Sequence, residues 1–255
     1  MIIIDLSVPL EPSPGEPVPV QMELVDHATG ADILGAPAQI GRKDFPDGLG
    51  LSLEHVRLVS HAGTHVDAPS HYGPLCEGRP ARAVDELPLE WFYGRGVLVR
   101  ALGDVVDGPV RRDEVELALR QMSHTPAPGE IILIHTGADA RWGQPDYFTN
   151  FRGVSVEALA FLLDHGVKVV GVDSFGFDPP FAQMLKAYSG TGDRSALRPA
   201  HVYGRRREYC QIERLAHLDR IPVTHGFRVA CFPVKLRGAG ASWARVVAIV
   251  DEDKP

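Results

Sequence analysis

The sequence predicts an α/β fold with a mixed sheet flanked by helices. Short apolar runs bounded by Gly or Pro, such as residues 131–135 after Pro128 and Gly129, are typical of buried strands. Amphipathic stretches, such as residues 112–122 and 155–163, are typical of helices that pack on a sheet. Because strands and helices do not alternate strictly along the chain, we expect the sheet to be mixed.

Local signals place the elements of the first half of the chain. Residues 10–20 are rich in Pro and are predicted to be irregular, because Pro cannot serve in a central strand. Residues 61–71 are predicted to be the end of a strand followed by an extended loop, since Gly63 and Pro69 interrupt a helix. The predicted helix of residues 112–122 has apolar positions at Val115, Leu117, Ala118 and Leu119.

Similar signals place the elements of the second half. Ser155 is predicted to cap a helix that Gly166 terminates, with an apolar stripe at Val156, Leu159, Ala160 and Leu163. Residues 167–172 follow as a strand. Residues 227–236 and 246–250 are predicted to be two late strands.

The composition is that of an ordinary globular protein. The chain has 255 residues, 44% of them hydrophobic and 23% charged, which predicts one domain over residues 1–255. Its net charge of −7 argues against nucleic-acid binding and against anionic membranes. No stretch approaches the ~20 apolar residues of a membrane helix. The N-terminus lacks the basic region of a signal peptide, so we expect a cytoplasmic protein.

The three cysteines predict no disulfide framework. Cys76, Cys210 and Cys231 are few, far apart and odd in number. They are interpreted as buried small hydrophobes or free thiols in a reducing compartment.

A cluster of metal-ligand residue types occupies residues 61–71. His61 and His65 are four residues apart, as in the H-E-x-x-H metalloproteases, but Ala62 stands where those enzymes carry a Glu base. In an extended chain His65 and Asp67 point to the same side, because side chains alternate with period two. Imidazole and carboxylate ligands suit zinc and manganese, so these residues predict a divalent-metal site.

The segment His61-Ala62-Gly63-Thr64-His65-Val66-Asp67-Ala68-Pro69-Ser70-His71 resembles the signature H-x-G-T-H-x-D-x-P-x-H of the metal-dependent cyclase family. That family includes bacterial kynurenine formamidases, isatin hydrolases, a dienelactone hydrolase and cyclases of antibiotic pathways. His201 and Glu213 resemble its second metal-binding segment, in which a Glu follows a His by twelve residues. The opening residues 4–7 and the closing stretch after Gly226 are also similar, so the resemblance covers nearly the whole chain.

The resemblance implies a fold, an assembly and a ligand set. The fold would be a swivelling β/β/α fold, assembled as a homodimer or homotetramer that acts on a small molecule. The metal ligands would be His61, His65, Asp67, His201 and Glu213, holding one or two zinc or manganese ions. Gly63 and Thr64 would allow close backbone approach and a hydrogen bond that orients a ligand, although Thr64 could equally be a turn residue.

Two of the motif residues have competing interpretations. In the family, the residue matching His71 donates and accepts protons, a role that suits an imidazole at neutral pH. His71 could instead be a third ligand of the same ion. Glu213, taken alone, would be a solvated residue on a helix that starts near Tyr209.

Other features outside the motifs allow weaker hypotheses. Ser174 lies after a predicted strand in a segment that faintly resembles the G-x-S-x-G elbow, and His217 or His225 could complete a serine hydrolase. Residues 173–177 are more simply expected to line the mouth of the pocket. Several aromatic residues come in short clusters that are usually core, though one or two could pack on a planar substrate; they are Trp91, Phe92, Tyr93, Trp142, Tyr147, Phe148, Phe175, Phe177 and Phe181. Basic residues near His201 are solvated by default, or else clamp a substrate anion; they are Arg194, Arg198, Arg205, Arg206 and Arg207.

The favoured function is a hydrolase in which metal-activated water attacks an amide or lactone carbonyl and His71 transfers the proton. The first alternative is a ring-closing aldol-type cyclase of an aromatic polyketide pathway. It gains support from residues 14–20, which lack the Trp found in that region of kynurenine formamidases. The weakest alternatives are the Ser174-dependent hydrolase and a non-catalytic metal-binding protein.

Overall fold

A nine-stranded mixed sheet forms the centre of the computed structural model, which describes residues 1–251. The strands are, in chain order, β1 (Ile2–Asp5), β2 (Gln21–Val25), β3 (Leu53–Arg57), β4 (His65–Asp67), β5 (Leu75–Cys76), β6 (Arg79–Pro80), β7 (Tyr93–Arg100), β8 (Glu130–His135), β9 (Val169–Val172), β10 (Cys210–Glu213), β11 (His225–Ala230), β12 (Ala241–Trp243) and β13 (Val247–Val250). The helices are α1 (His27–Gly35), α2 (Pro69–Tyr72), α3 (Arg112–Gln121), α4 (Val156–Asp164), α5 (Phe181–Thr191) and α6 (Pro199–Tyr203).

The strand order of the main sheet is β1-β13-β11-β7-β8-β9-β10-β4-β12. Strands β7, β8, β9 and β10 are parallel to one another, and antiparallel strands extend the sheet on both sides. The predicted α/β fold with a mixed sheet flanked by helices is therefore confirmed.

Both faces of the parallel strands are buried, as expected for a sheet covered on both sides. On β8, Ile131 and Leu133 join one core, whereas Ile132 and Ile134 join the other. The second core includes the buried faces of α3 and α4. Burial on both faces explains why β8 is a continuous apolar run in the sequence rather than an alternating one.

Most of the predicted elements are confirmed. The bounds of strands β8 and β9 and of helix α3 agree with the predicted ranges to within two residues. The Ser155 side chain caps α4 by accepting a hydrogen bond from the backbone N–H of Ala158. Gly166 follows α4 with φ of +85°, the left-handed conformation expected of a terminating glycine. Residues 10–20 contain no helix or strand.

Two local predictions and one alternative interpretation are wrong. The strand predicted over residues 227–236 ends at Ala230, since Pro233 has no N–H to donate and forms only an isolated bridge. After Asp67 the chain does not stay extended, because Pro69 begins the helical turn α2. No helix starts near Tyr209; that residue precedes the buried strand β10.

Two further expectations concern the cysteines and membrane-spanning helices. Cys76, Cys210 and Cys231 are all buried free thiols, as interpreted from the sequence. Within residues 1–251, no helix has the length and apolar character needed to cross a bilayer.

Residues 21–57, here called the N-terminal arm, form a separate β2–β3 hairpin with α1 and short 3₁₀ turns between its strands. The arm exposes a cluster of large apolar side chains, namely Met22, Leu24, Ile33, Leu34, Ile40, Leu49, Leu51, Leu53 and Val56. Nine large exposed apolar side chains within one short segment are typical of a surface that binds another molecule.

Candidate metal centre

The two predicted metal-ligand segments meet in the sheet. Strand β4 carries His65 and Asp67, and its antiparallel neighbour β10 ends at Glu213. The register pairs Glu213 directly with His65, and the Glu213 Oε2 atom lies 3.5 Å from the His65 Nε2 atom. Sheet pairing therefore joins residues that are remote in the sequence.

Asp67 lies at the centre of this cluster. Its side chain is fully buried, and its Oδ1 atom lies 3.3 Å from His65 Nε2 and 2.9 Å from His61 Nδ1. Despite these short distances, neither carboxylate oxygen has a hydrogen bond of acceptable geometry within residues 1–251. A buried carboxylate without hydrogen bonds is costly in free energy, unless a cation compensates it.

His71 and His201 approach the same carboxylate from two short helices. The Nε2 atom of His71, on α2, lies 3.9 Å from Asp67 Oδ2, and that of His201, on α6, lies 3.8 Å from it. Four imidazoles and two carboxylates thus converge, and two overlapping triads are compact enough to hold a cation: His61, Asp67 and His71, and His65, Asp67 and Glu213. The donors fit a divalent metal ion.

Outer contacts orient two of the imidazoles. His201 Nδ1 lies 2.6 Å from the Asp178 carboxylate, and His65 Nδ1 lies 2.8 Å from the backbone carbonyl of Gly63. Contacts of this kind leave Nε2 of each ring facing the cluster, as is usual for metal-binding histidines. Sequence reasoning missed Asp178, whose only signal is an acidic residue before two prolines in a loop after a buried strand.

Gly63 and Thr64 shape the loop before β4. Gly63 has φ of +60°, and a Cβ atom there would lie 2.6 Å from Leu10 Cδ2, so the backbone needs glycine. The Thr64 hydroxyl donates to the Arg214 carbonyl at 2.5 Å and accepts from the Val8 N–H at 2.9 Å. The Thr64 hydroxyl thus joins backbone segments on either side of it, and its expected role in orienting a ligand stays a prediction.

Charge interactions within the cluster shift its pKa values. Burial opposes the charged form of His65, but the charges and hydrogen bonds of Asp67 and Glu213 together outweigh burial and raise the pKa to about 9. Burial likewise opposes the charged form of His201, but its hydrogen bond to Asp178 helps to raise the pKa to about 10. For His71, burial dominates and lowers the pKa to about 4, so this imidazole is neutral at pH 7.

A cavity of about 180 Å³ opens beside these side chains. His61, His71, His201 and Glu213 line one part of it, and the rest is lined by Phe151, Phe175, Gly176, Asp178, Pro179, Phe181, Met184, Arg198 and Arg214. Of the segment 173–177, which was expected to line the mouth of the pocket, Phe175 and Gly176 line the cavity and the other three residues do not. Phe181 also lines it, whereas Phe151, Met184 and Arg214 were not anticipated. Larger clefts of about 520 and 560 Å³ lie elsewhere and lack this donor set.

The serine-hydrolase alternative is not supported by the structure. The Ser174 hydroxyl donates to the Gly176 carbonyl at 3.0 Å. His217 Nδ1 lies 3.1 Å from the Asp5 carbonyl, and His225 Nδ1 lies 3.2 Å from the Thr224 hydroxyl. Within residues 1–251, Ser174 therefore has no imidazole base.

A second His-carboxylate cluster lies at the ends of β8 and β9. His135 Nε2 is 3.6 Å from Asp139 and 3.9 Å from Asp173. Unlike Asp67, Asp173 accepts backbone hydrogen bonds on both oxygens, from Thr136 at 2.8 Å and Gly137 at 2.7 Å. Its hydrogen-bonding capacity is used by the protein, so this cluster links two loops.

Comparison with known proteins places these features in context. A family model described as "Putative cyclase" matches residues 4–179. Isatin hydrolase A from Ralstonia solanacearum is 21% identical, with a TM-score of 0.74 over 98% of this chain and 92% of that one. Isatin hydrolase A from Labrenzia aggregata, bound to benzyl benzoate, is 22% identical, with a TM-score of 0.72 over 98% and 94% of the two chains.

A third structure, of a potential metal-dependent hydrolase with cyclase activity, is 18% identical, with a TM-score of 0.63 over 98% of this chain and 99% of that one. At these identities the likeness shows the fold. It is the swivelling β/β/α fold that the sequence resemblance implied.

Proposed function

Because this chain belongs to the cyclase family, we propose that it is a divalent-metal-dependent hydrolase that opens an amide or lactone bond in a small cyclic or aromatic substrate. The buried carboxylate of Asp67 carries this proposal. It has no hydrogen bond within residues 1–251, and imidazole nitrogens and Glu213 surround it. A site of this composition is stable when a cation occupies it.

The proposed ligands are His61, His65, Asp67, His201 and Glu213, and one or two zinc or manganese ions would bind there. When bound, the cation would activate water and polarise the carbonyl oxygen of the substrate.

His71 is proposed to transfer the proton. Its imidazole is neutral at pH 7 because burial lowers its pKa to about 4, so its ring can accept a proton. It borders the cavity beside His61, with the two ring centroids 4.2 Å apart. It is therefore close to where a substrate carbonyl would bind.

The size and lining of the cavity favour hydrolysis of a small substrate over closure of a polyketide chain. About 180 Å³ is less than the ~300–1,000 Å³ of pockets for drug-sized ligands. Phe151, Phe175 and Phe181 offer apolar surface for a planar ring. Since isatin hydrolases share the fold, cyclic aromatic amides and aryl formamides are the first substrates to test.

Chelation should abolish activity, and a serine-directed phosphonate should leave it unchanged. The experiment combines metal analysis of the purified protein with a screen of cyclic amides, aryl formamides, lactones and polyketide mimics. Restoration by zinc or manganese is the control for chelator damage. Full turnover by metal-free protein would refute the proposal.

Metal uptake at pH 7 should release close to two protons per chain, and the affinity should rise with pH. The pKa values of about 9 for His65 and about 10 for His201 lie above 7, so both imidazoles are protonated in the metal-free protein. Ligation requires the neutral forms, which become dominant only as the pH rises through those values. Calorimetry in buffers of different ionisation enthalpy measures the number of protons released.

A matched control uses His71. Its pKa of about 4 means that it holds no proton at pH 7, so the His71→Ala variant should release the same number. Uptake without proton release would contradict the proposed protonation of His65 and His201 in the metal-free protein.

We further propose that the chain acts as one domain in the cytoplasm and assembles as a homodimer or homotetramer through its N-terminal arm. Leu24 and Leu51 are 66% and 73% exposed, and burial against a second copy would remove this apolar area from water.

Leu24→Glu should reduce the molar mass measured by light scattering. Val106→Glu, which alters an 88% exposed residue outside the arm, is the control and should not. An unchanged mass for both variants would refute the role of the arm.

A further inference from the structure

One of the arginines grouped near His201 in the sequence borders the catalytic cavity without a partner. Arg198 lines the cavity wall, and its guanidinium has no hydrogen bond or ion pair with any residue from 1 to 251. Arg205 donates to the Tyr72 carbonyl, and Arg207 pairs with Asp164 at 2.7 Å. These two arginines therefore have structural partners elsewhere.

The other arginine of the cavity, Arg214, is already neutralised. It is buried, pairs with Glu16 at 2.8 Å and lies over the ring of Phe175. Arg198 is thus the uncompensated guanidinium among the residues that line this cavity.

The backbone of Arg198 is held in an uncommon conformation. Its φ of +57° and ψ of +49° are left-handed, a conformation that is unfavourable for an L-residue, and the following Pro199 restricts it further. The Arg198 carbonyl accepts a hydrogen bond from Val202 at 2.8 Å, which starts the helix that carries His201. The backbone of Arg198 is therefore held at the start of the helix that carries His201.

We propose that Arg198 is a specificity-determining residue that binds a carboxylate of the substrate. This inference rests on the proposed function, and it adds that the substrate is an anion. The cavity is lined by the apolar residues Phe175, Phe181 and Met184 together with Arg198, so it matches a small planar ring that bears an acidic group. Guanidinium binds a carboxylate through two parallel hydrogen bonds, which discriminates against a neutral ester.

The test compares ligands that differ by one charge. Phthalate, isophthalate and terephthalate are titrated calorimetrically, each beside its monomethyl ester, into metal-loaded wild-type, Arg198→Met, Arg198→Lys and Arg194→Met proteins. At least one diacid should bind the wild type about tenfold more tightly than its ester, the ratio expected for one charged hydrogen-bonded pair at a partly exposed site. Arg198→Met should reduce that ratio to near one, and Arg198→Lys should retain part of it.

Arg194→Met removes a nearby exposed charge that does not line the cavity, and should leave the ratio unchanged. The proposal is overturned if wild type shows no preference for a diacid, if the preference survives in Arg198→Met, or if Arg194→Met lowers it equally. Failure of the proposed function is distinguishable. A protein that keeps the Arg198-dependent ratio but hydrolyses nothing retains the anion site and lacks the reaction. If the protein binds no metal, the same titrations are carried out without metal and still compare each diacid with its ester.

Discussion

Replacing Glu213 by Gln should weaken divalent-metal binding by more than about 100-fold, beyond the usual effect of losing an outer contact of a metal ligand. A neutral amide is a poorer ligand than a carboxylate and cannot balance the charge of a cation. The substitution is otherwise mild, because the amide oxygen can still accept the hydrogen bond that Glu213 Oε1 receives from Phe177 N–H at 3.2 Å. Calorimetric titration with zinc and manganese provides the measurement.

The same variant should lose the thermal stabilisation that metal gives the wild type. A metal concentration of 100 times Kd stabilises a folded protein by about 2.7 kcal/mol. Because the variant binds metal more weakly, its melting temperature should change little when the same concentration of metal is added. Glu208→Gln is a matched control. Glu208 pairs with Arg82 away from the cluster, so this change should not alter metal affinity. If Glu213→Gln binds metal with unchanged affinity and stoichiometry, the proposed ligand set is wrong.

Replacing His71 by Ala should lower kcat by about 100-fold or more while the metal content stays near that of wild type. The expected loss is the usual contribution of a general acid or base. Side-chain removal should be tolerated structurally, because His71 lies in the short turn α2 and its side chain is 32% exposed. The readouts are kcat with a substrate from the screen and the metal content of the purified variant.

These two readouts separate the two interpretations of His71. The cluster of His61, Asp67 and His71 is compact enough to hold an ion, so a ligand role predicts protein purified with less metal. His165→Ala is a control for loss of an imidazole, since His165 Nδ1 lies by the Phe161 carbonyl, outside the cavity. Normal turnover in His71→Ala would rule out the proton-transfer role.

The sequence predicted the fold class because buried strands and amphipathic helices have distinct periodicities. It also identified the residues that the structure gathers around Asp67, although their roles remain predictions. Their convergence could not be derived from periodicity. It depends on the register that pairs Glu213 with His65, which long-range sheet pairing sets.

Site residues that belong to no local sequence pattern could not be predicted from the sequence. Asp178 lies in a loop, and its carboxylate contacts His201 Nδ1. Phe151 and Met184 line the cavity from separate parts of the chain. The predicted extended path to His71 failed for a local reason, since Pro at the first position of a helical turn favours that turn. Here the sequence signal existed, but it permitted both a loop and a helix start.

The three-way junction at Thr64 has a consequence for how the protein folds. Its hydroxyl hydrogen-bonds both the Val8 N–H and the Arg214 carbonyl. The loop before β4 therefore reaches its native contacts only after the segments around Val8 and Arg214 have both packed against it. Contacts of such large sequence separation form late and slow folding. A partly folded chain would present the 61–71 motif without its partners. High-affinity metal uptake would therefore report completion of the native topology, and would appear with the last kinetic phase of refolding.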